Sequence, residues 1–498
     1  MISSELALNI RQHFRFEPTP EQAAAVEVFC RFMTSRESHA VMVMRGSAGT
    51  GKTTLAGAFV RTMLHLRQKV VLMAPTGRAA KVFSLNSDFP AFTIHRKIYR
   101  QKAFAGEMST FSLNDNLHRD TLFMVDEASM VANEGFGDSP FGQGRLLDDL
   151  IKYVYQGQNC RLMLIGDKAQ LPPVGEEDSP ALMGQVLAQY GLQVYECDLN
   201  EVLRQSQQSG ILWNATMIRH LITHDEVTQL PQIRFQGFAD VEMVPGNELI
   251  EQLNSSYSRV GIDETMVVTR SNKRANIYNM GIRNTILDRE ELLCTGDQLM
   301  VVKNNYFWTA SSQPPPVGEA SKTPASAGEG QGKGLDFVAN GDRCRVVKVR
   351  NNRELYGFHF ADAILVFPDY DEYELEATVL LDTLTSEAPA LTREQAEELF
   401  QHVQEDYFDI PLKADRMKAI KTDAYYNALQ IKFSYAVTCH KAQGGQWAHI
   451  YIDQGYMTDD MLTPDYIHWL YTAFTRATEK LYLVNWPKSQ VRGEDGRN

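Results

Sequence analysis

Short apolar runs alternate with stretches of helical spacing along much of the chain. AVMVMRG at 40–46 has the length of a strand, and TLAGAFVRTMLHL at 54–66 carries apolar residues at helical intervals. Further strand-like runs follow in KVVLMAPT, TLFMVDEAS and RLMLIGD. Because strands that are apolar throughout are covered on both faces, this β–α alternation predicts an α/β fold with a parallel sheet.

A second group of strand-like runs begins near residue 265. It comprises TMVVTR, FSYAVTCH, HIYID and KLYLVN, and it predicts a second α/β domain. Between its parts, residues 311–334 are rich in Pro, Gly, Ser and Ala, a composition that predicts a mobile loop. Short strand-like runs after this stretch predict a small inserted β module. The predicted domains are 1–220, then 221–339 together with 431–498, and finally 340–430.

Composition narrows the class of protein. The 498 residues suggest two to four domains, and a hydrophobic share of 44% with 22% charged residues is typical of a globular protein. The sequence has no run of 18 apolar residues and no secretory signal, which predicts no membrane contact and a cytoplasmic location. Six scattered cysteines without a C-x-x-C pair argue against zinc sites and disulfides. The net charge of −13 argues against a phosphate-rich partner, but HRKIYRQK at 95–102 leaves room for a local basic track.

The stretch GSAGTGKTT at 46–54 fits the phosphate-loop pattern G-x-x-x-x-G-K-[ST] between a predicted strand and a predicted helix. Its glycines let backbone N–H groups converge on phosphate oxygens. Lys52 is expected to reach the β- and γ-phosphates, and Thr53 to bind Mg²⁺. The predicted cofactors are therefore ATP and Mg²⁺, and the predicted nucleotide-binding residues of the loop are Gly46, Ser47, Ala48, Gly49, Thr50, Gly51, Lys52, Thr53 and Thr54.

Two later strand ends supply partners for this loop. VDEAS places Asp126 and Glu127 after an apolar strand, where Asp126 can hold Mg²⁺ and Glu127 can orient the attacking water. IGDKAQLPPV ends another strand, and the amide of Gln170 suits sensing of a γ-phosphate because it can both donate and accept. Taken alone, the acidic pair would be a solvated strand end and the Gln170 segment an ordinary turn.

These three motifs, with four others, stand in the order of a superfamily 1 helicase, and the chain resembles the RecD/Dda branch, superfamily 1B. The resemblance spans residues 15 to about 485. It implies two RecA-like motor domains, with a small hairpin at 101–118 inserted in the first and an SH3-like β module in the second. The motifs are GSAGTGKTT, APTGRAAK, TIHR, DEAS, GDKAQLPPV, YAVTCHKAQGGQW and YTAFTRATEKLYL.

The resemblance also implies roles for individual residues. Gln22 in TPEQ is implied to contact adenine, Gly444 to belong to the nucleotide site, and Arg204 and Arg476 to reach the γ-phosphate. Phe111, with Phe104 second, is implied to act as a wedge at the last base pair, although such an aromatic is as often packed against its own hairpin. Gln446 departs from the family, which often has an acidic ribose contact there. A purely structural role is the alternative for the two histidines among the implied DNA contacts. These contacts are Pro75, Thr76, Arg78, His95, Thr438, His440 and Lys441.

The expected function follows from these motifs. The resemblance implies a monomeric ATP-dependent helicase that moves 5′→3′ on single-stranded DNA and acts at junctions between single and double strands. Two alternatives stay open: a superfamily 1 motor on RNA, since phosphate-gripping residues discriminate the sugar poorly, and a motor-fold subunit or adaptor of a DNA-repair complex.

Overall fold

The structure is a computed structural model, and it describes residues 2–101, 111–134, 144–201, 208–224, 230–309, 337–458 and 461–492. The chain divides into two compact units. The first contains residues 1–275 and 436–498, and the second contains residues 276–435. The predicted mobile loop at 311–334 lies outside the described residues.

The first unit contains a six-stranded sheet of order β3-β2-β6-β7-β1-β8, in which every pair is parallel. A separate antiparallel pair, β4 and β5, lies between β3 and β6 in the sequence. The four central strands, β2, β6, β7 and β1, carry mainly buried side chains, as the apolar runs predict. The strands are β1 Ala40–Gly46, β2 Lys69–Ala74, β3 Ala91–Thr93, β4 Tyr99–Gln101, β5 Phe111–Leu113, β6 Thr121–Val125, β7 Arg161–Gly166 and β8 Gln193–Leu199.

Helices connect these strands and cover the sheet. Thr19 begins the second helix with a capping box, in which its hydroxyl accepts from the Gln22 amide and the Gln22 side chain accepts from the Thr19 amide. Phe29 and Phe59 stack with ring centroids 4.0 Å apart in the core beneath β1. The helices are α1 Ile2–His13, α2 Pro20–Thr34, α3 Lys52–His65, α4 Gly77–Ser87, α5 Ile94–Ile98, α6 Leu146–Gln156, α7 Gly184–Gln189 and α8 Gly210–Thr223.

The same unit contains a second parallel sheet of five strands, in the order β16-β10-β17-β18-β9. Its strands are β9 Val241–Val244, β10 Thr265–Thr269, β16 Ala436–Thr438, β17 Trp447–Asp453 and β18 Ala477–Val484. Its helices are α9 Leu249–Arg259, α13 Cys439–Ala442 and α14 Pro464–Phe474, and the helix α10 Asn272–Gly281 begins in this unit and continues into the residues of the second. Both predicted parallel sheets are therefore confirmed.

The second unit contains a closed five-stranded barrel, which fits the predicted β insertion. Its first strand, at 298–301, precedes the range 340–430 that the sequence assigns to the module. Two helices pack on the barrel through Leu399, Val403 and Ile420. The elements are β11 Gln298–Val301, β12 Arg343–Leu355, β13 Phe358–Phe367, β14 Tyr373–Leu380, α11 Arg393–Glu405, α12 Lys413–Lys421 and β15 Leu429–Phe433.

Two expectations from composition can be compared with this fold. Within the described ranges, every helix is too short or too polar to cross a bilayer. The same residues contain no group of three or more His, Cys, Asp and Glu side chains arranged to hold a metal ion, and all six cysteines are free thiols.

Candidate nucleotide site and nucleic-acid interface

The phosphate loop joins β1 to α3 in the first sheet. Gly49 and Gly51 have φ angles of 77° and 78°, a left-handed conformation that glycine adopts without steric cost. A Cβ at Gly46 would lie 2.8 Å from Thr50 Oγ1, and that hydroxyl donates to the Ser47 carbonyl at 2.8 Å. The Ser47 hydroxyl itself is buried with no hydrogen-bond partner among the described residues. A buried hydroxyl in such a loop fits a ligand with acceptor oxygens, as a nucleotide phosphate has.

The acidic pair lies at the end of β6, two strands from the phosphate loop. Asp126 is buried, and its Oδ1 accepts from the Glu127 amide at 2.9 Å. Burial raises the pKa of Asp126 to about 7, the charge of Glu127 adds to the rise, and the Lys52 ammonium opposes it. A carboxylate that burial penalises gains from a cation, so Asp126 and Thr53 form a donor set that fits Mg²⁺.

Glu127, Gln170 and Arg476 converge on one point. With its amide oriented to satisfy both neighbours, Gln170 donates from Nε2 to Glu127 Oε2 at 3.2 Å and accepts at Oε1 from Arg476 Nη2 at 3.2 Å. Arg476 Nη1 also lies 4.0 Å from Glu127 Oε1. Because Glu127 and Gln170 follow strands of the first sheet while Arg476 precedes β18 of the second, this cluster connects the two sheets.

Arg476 is held firmly by its own sheet. The side chain is 2% exposed, and it donates from Nε to the Thr472 carbonyl at 3.0 Å, from Nη1 to the Gly445 carbonyl at 3.1 Å, and from Nη2 to Thr475 Oγ1 at 3.1 Å. These three bonds fix the plane of the guanidinium, so its remaining donors face the first sheet.

Further contacts around this cluster were not predicted from the sequence. Thr472 Oγ1 accepts from the Leu171 amide at 2.8 Å, and Gln443 Nε2 donates to the Leu171 carbonyl at 2.8 Å. Tyr471 donates to Asp167 Oδ2 at 2.6 Å and accepts from the Ala48 amide at 3.1 Å. These side chains lie inside the recognised motifs, and motif position was the only signal for them, because their partners are distant in sequence.

The Gln22 side chain forms a hydrogen bond with the phosphate loop. It is 2% exposed, its Nε2 donates to the Thr50 carbonyl at 2.9 Å, and its Oε1 accepts from the Thr19 amide at 3.0 Å. The side chain therefore ties the start of α2 to the loop. The adenine contact implied for Gln22 stays a prediction.

The residues implied to grip DNA on the first sheet follow β2. Thr76 caps α4 by accepting from the Ala79 amide at 3.2 Å, and Pro75 precedes it. Arg78 Nη2 donates to the Gln446 carbonyl at 2.9 Å and lies 3.5 Å from Glu264 Oε1. Arg78 thus contacts the second sheet, and its implied contact with a DNA strand stays a prediction.

Gly444 also lies between the two sheets. Its φ angle is 77°, and a Cβ there would lie 3.1 Å from Thr76 Oγ1 and 3.3 Å from Ala79 Cβ. The structure therefore places Gly444 beside the start of α4, and its implied role in nucleotide binding stays a prediction.

The two histidines implied to contact DNA are both neutral near pH 7. Burial lowers the pKa of His95, on α5, to about 4. Burial also lowers the pKa of His440, on α13, and the Asp465 carboxylate partly offsets it. Both rings can therefore offer hydrogen bonds or stacking, but no positive charge. Thr438 and Lys441 flank His440 at the end of β16 and in α13.

Three predicted residues cannot be placed. Arg204 and Phe104 lie outside the described residues. Phe111 begins β5, which pairs with β4, but its side chain also lies outside the part of the chain that the structure describes.

Two family models match the chain, one on each sheet. A model described as an AAA domain matches residues 17–237, and one described as a UvrD-like helicase C-terminal domain matches residues 433–484. Two similar proteins are the ATP-dependent DNA helicase dda of Enterobacteria phage T4 and the ATP-dependent RecD2 DNA helicase of Deinococcus radiodurans. The first is 25% identical over 60% of this chain, and the second is 32% identical over 36% of it.

The chain is similar to the superfamily 1B helicases over both sheets. It spans 64% of the length of dda and 22% of the length of RecD2. Among solved structures, a Bacteroides Pif1 helicase in complex with ADP-AlF3 and single-stranded DNA aligns over 96% of this chain, with 14% identity and a TM-score of 0.45. The cluster of Glu127, Gln170 and Arg476 lies in three of the motifs that carry the resemblance, and its members come from both sheets.

Proposed function

We propose that this chain is an ATP-driven helicase and translocase that moves 5′→3′ on single-stranded DNA. The observation that carries the proposal is the cluster in which Gln170 lies between Glu127 and Arg476, with 3.2 Å to each. This cluster joins the two sheets beside the phosphate loop, so chemistry at one sheet is coupled to the position of the other.

Each side chain of the site has a part in this proposal. Lys52 and the loop amides bind the phosphates, and Asp126 with Thr53 holds Mg²⁺, which supplies neutralising charge to the phosphates when bound. Glu127 orients the attacking water, and Gln170 registers whether the γ-phosphate is present. Arg476 donates to the phosphoryl oxygens as their charge grows, and Arg204 is proposed as a second such donor.

Strand movement follows from the same coupling. Pro75, Thr76, Arg78 and His95 belong to the first sheet, and Thr438, His440 and Lys441 belong to the second. When nucleotide binding and release change the contact between the sheets, these two groups approach and separate, and grips that alternate in strength give net motion. We propose that the protein acts as a monomer at junctions between single- and double-stranded DNA.

Steady-state ATP turnover tests this function. It is measured without nucleic acid, with single-stranded DNA and with single-stranded RNA, using Lys52→Ala as the inactive variant. Lys69→Ala is the matched control, because Lys69 is an exposed lysine at the start of β2. DNA-stimulated turnover that is lost in Lys52→Ala alone would support the proposal.

The other outcomes point to other functions. Equal or greater stimulation by RNA would indicate an RNA motor. No turnover under any condition would indicate a subunit or adaptor of a larger complex, in which the fold is kept without the activity.

A further inference from the structure

The hydroxyl of Tyr471 joins the phosphate loop to the second sheet. Tyr471 lies on α14 and is 1% exposed. Its hydroxyl accepts from the Ala48 amide at 3.1 Å and donates to Asp167 Oδ2 at 2.6 Å. Ala48 belongs to the phosphate loop, Asp167 follows β7 of the first sheet, and Tyr471 comes from the second. One oxygen atom therefore bridges three segments that are far apart in the sequence.

Asp167 decides which way this hydroxyl points. A tyrosine hydroxyl has one proton with which to donate a hydrogen bond. That proton points to the Asp167 carboxylate, because an ionised carboxylate can accept hydrogen bonds but cannot donate them. The hydroxyl oxygen can then only accept a hydrogen bond from the Ala48 amide, through its lone pairs. Asp167 is itself fixed, since it is 3% exposed and its Oδ1 accepts from the Ala169 amide at 3.0 Å.

This arrangement gives Tyr471 the same bonding role as a phosphate oxygen. Amides of a phosphate loop donate to phosphate oxygens, and an amide N–H has one proton to give. The hydroxyl of Tyr471 and a bound phosphate therefore compete for the Ala48 amide. The α14 helix that carries Tyr471 ends two residues before Arg476, and the Thr472 carbonyl of the same helix accepts from Arg476 Nε at 3.0 Å.

We propose that Tyr471 is a positioning residue that competes with the nucleotide phosphates for the Ala48 amide, so that phosphate binding breaks the hydrogen bond by which Tyr471 attaches α14 to the phosphate loop. The proposal rests on the proposed function, since it assumes that the loop binds ATP and ADP. It adds a regulatory step to that function: filling of the phosphate site is reported to the second sheet through one hydrogen bond.

Binding of a fluorescent ADP derivative with Mg²⁺ tests the competition directly. Tyr471→Phe keeps the ring and removes only the hydroxyl. Its affinity for ADP is expected to rise about threefold to tenfold, the range that one hydrogen bond supplies. A side chain with a purely structural role would lower this affinity or leave it unchanged on removal, so a rise identifies competition.

Tyr466→Phe is the matched control. Tyr466 lies on the same helix, is 2% exposed, and donates its hydroxyl proton to Gln454 Oε1 at 2.5 Å, away from the phosphate loop. The control variant loses one buried hydrogen bond in the same way, but its affinity for ADP is expected to match that of the wild type. Comparison of the two variants therefore separates the competition from a general loosening of α14.

Asp167→Asn provides a second route to the same conclusion. The amide no longer forces the Tyr471 hydroxyl to act as acceptor towards Ala48, so the affinity for ADP is expected to rise here as well. In the double variant the affinity is expected to equal that of Tyr471→Phe, because both changes remove one interaction.

The outcomes distinguish the two proposals. If the wild type turns over ATP but Tyr471→Phe binds ADP equally or more weakly, the competition is wrong and the proposed function stands. If the wild type neither binds ADP nor hydrolyses ATP, both proposals are overturned.

Discussion

The buried guanidinium of Arg476 is oriented towards the candidate nucleotide site by hydrogen bonds within its own sheet. A guanidinium has five N–H donors, and the structure assigns three of its bonds to backbone carbonyls and a hydroxyl of its own sheet. The remaining donors face Gln170 and Glu127. Preorganised donors of this kind stabilise developing charge because they need no rearrangement during the reaction.

Arg476→Ala is expected to lower DNA-stimulated ATP turnover by about 10³-fold or more, the range for removal of a charge-stabilising arginine. Arg476→Lys is expected to recover little, because an ammonium keeps the charge but cannot make the three anchoring bonds and face Gln170 at once. Steady-state turnover measures both variants. Arg36→Ala, at an exposed arginine, is the control, and turnover of Arg476→Ala within twofold of the control would contradict the assigned role.

The sequence predicts the charged members of this site and misses a neutral one. Lys52 is identified by the phosphate-loop pattern, Glu127 by its place after an apolar strand that follows this loop, and Arg476 by the resemblance of its motif to the family. Tyr471 does not stand out, because the pattern YTAF is that of a buried helix face, and nothing local shows that its hydroxyl meets Ala48, 423 residues away. Non-local hydrogen bonds of this kind depend on how the two sheets meet, which periodicity does not report.

The turn between α13 and β17 is the element that positions Arg476 from the other side. Gly445 supplies the carbonyl that accepts from Arg476 Nη1. A Cβ at Gly445 would lie 2.3 Å from Trp447 Cη2 and 2.7 Å from its Cζ3, and an indole ring is rigid. Trp447 is 2% exposed, so the ring has no open space into which it can move.

Gly445→Ala is therefore expected to displace the turn and lower ATP turnover at least tenfold, since small displacements of a catalytic group are costly. Gly281→Ala is the matched control, because Gly281 ends α10 with no atom within 4 Å of an added Cβ. The control is expected to keep full turnover and to gain up to about 1 kcal/mol of stability. Equal turnover in both variants would show that the turn does not position Arg476.

The barrel of the second unit depends on one buried carboxylate. Asp297 is fully buried just before β11, and it accepts from Arg283 Nε and Nη2, each at 3.0 Å, and from Arg289 Nη1 at 2.9 Å. It also accepts from the Cys294 amide at 2.8 Å and from the Tyr435 hydroxyl at 2.8 Å. Every lone-pair direction of this carboxylate is in use, which is what makes its burial tolerable.

Asp297→Ala is expected to destabilise the barrel by about 3–5 kcal/mol, because it leaves the buried Arg283 without its counter-ion. The measurement is thermal unfolding followed by amide hydrogen exchange, which resolves the strands of the barrel from the two parallel sheets. Glu374→Ala, at an exposed carboxylate on β14, is expected to change stability by less than about 0.5 kcal/mol. A similar small effect of Asp297→Ala would mean that the network does not support the barrel.

The sequence predicts some strands of the barrel and not others. The long strands β12, β13 and β14 are recognisable from their apolar content, and the sequence predicts them. β11 is only four residues long, and its partners are β12 and β15, which lie about 45 and 130 residues later in the chain. β11 belongs to the barrel and not to the second parallel sheet because its backbone pairs with β12 and β15. A four-residue apolar run does not show with which strands it will pair.

At the scale of the whole molecule, net charge is a poor guide to the partner. The chain carries −13, yet the function proposed for it places it on a polyanion, single-stranded DNA. The predicted contacts resolve this, since most of them are neutral: the pKa values of His95 and His440 are lowered by burial, and Pro75, Thr76 and Thr438 carry no charge. Arg78 and Lys441 are the two cations among the predicted contacts in the described part of the chain.

Binding to single-stranded DNA is therefore expected to depend only weakly on salt. Two phosphate contacts by cations predict a slope of about −1.4 in a plot of log affinity against log salt concentration. Fluorescence anisotropy with a labelled oligonucleotide measures the slope between about 50 and 300 mM salt, a range over which the Debye length falls from about 14 Å to about 6 Å. Lys441→Ala is expected to make it shallower by about 0.7, and a wild-type slope steeper than about −4 would show that other cations carry the grip.

Direction of movement is a property of the whole motor. No single residue sets it, because it depends on which sheet tightens its grip when ATP draws the two sheets together. The resemblance of the chain to superfamily 1B leads us to expect 5′→3′ movement. A duplex with a single-stranded 5′ tail is therefore expected to be unwound at least tenfold faster than the same duplex with a 3′ tail, since only the 5′ tail directs the motor towards the junction.

Strand displacement from the two substrates, followed by fluorescence in the presence of ATP and Mg²⁺, measures this ratio. A blunt duplex and Lys52→Ala serve as controls, and neither is expected to give unwinding. Faster unwinding from the 3′ tail would reverse the proposed direction while leaving the nucleotide site intact, because that site functions in the same way whichever sheet leads. Equal rates from both tails would instead indicate that the protein enters at the junction itself, and the alternating grip would then have to be abandoned as the source of movement.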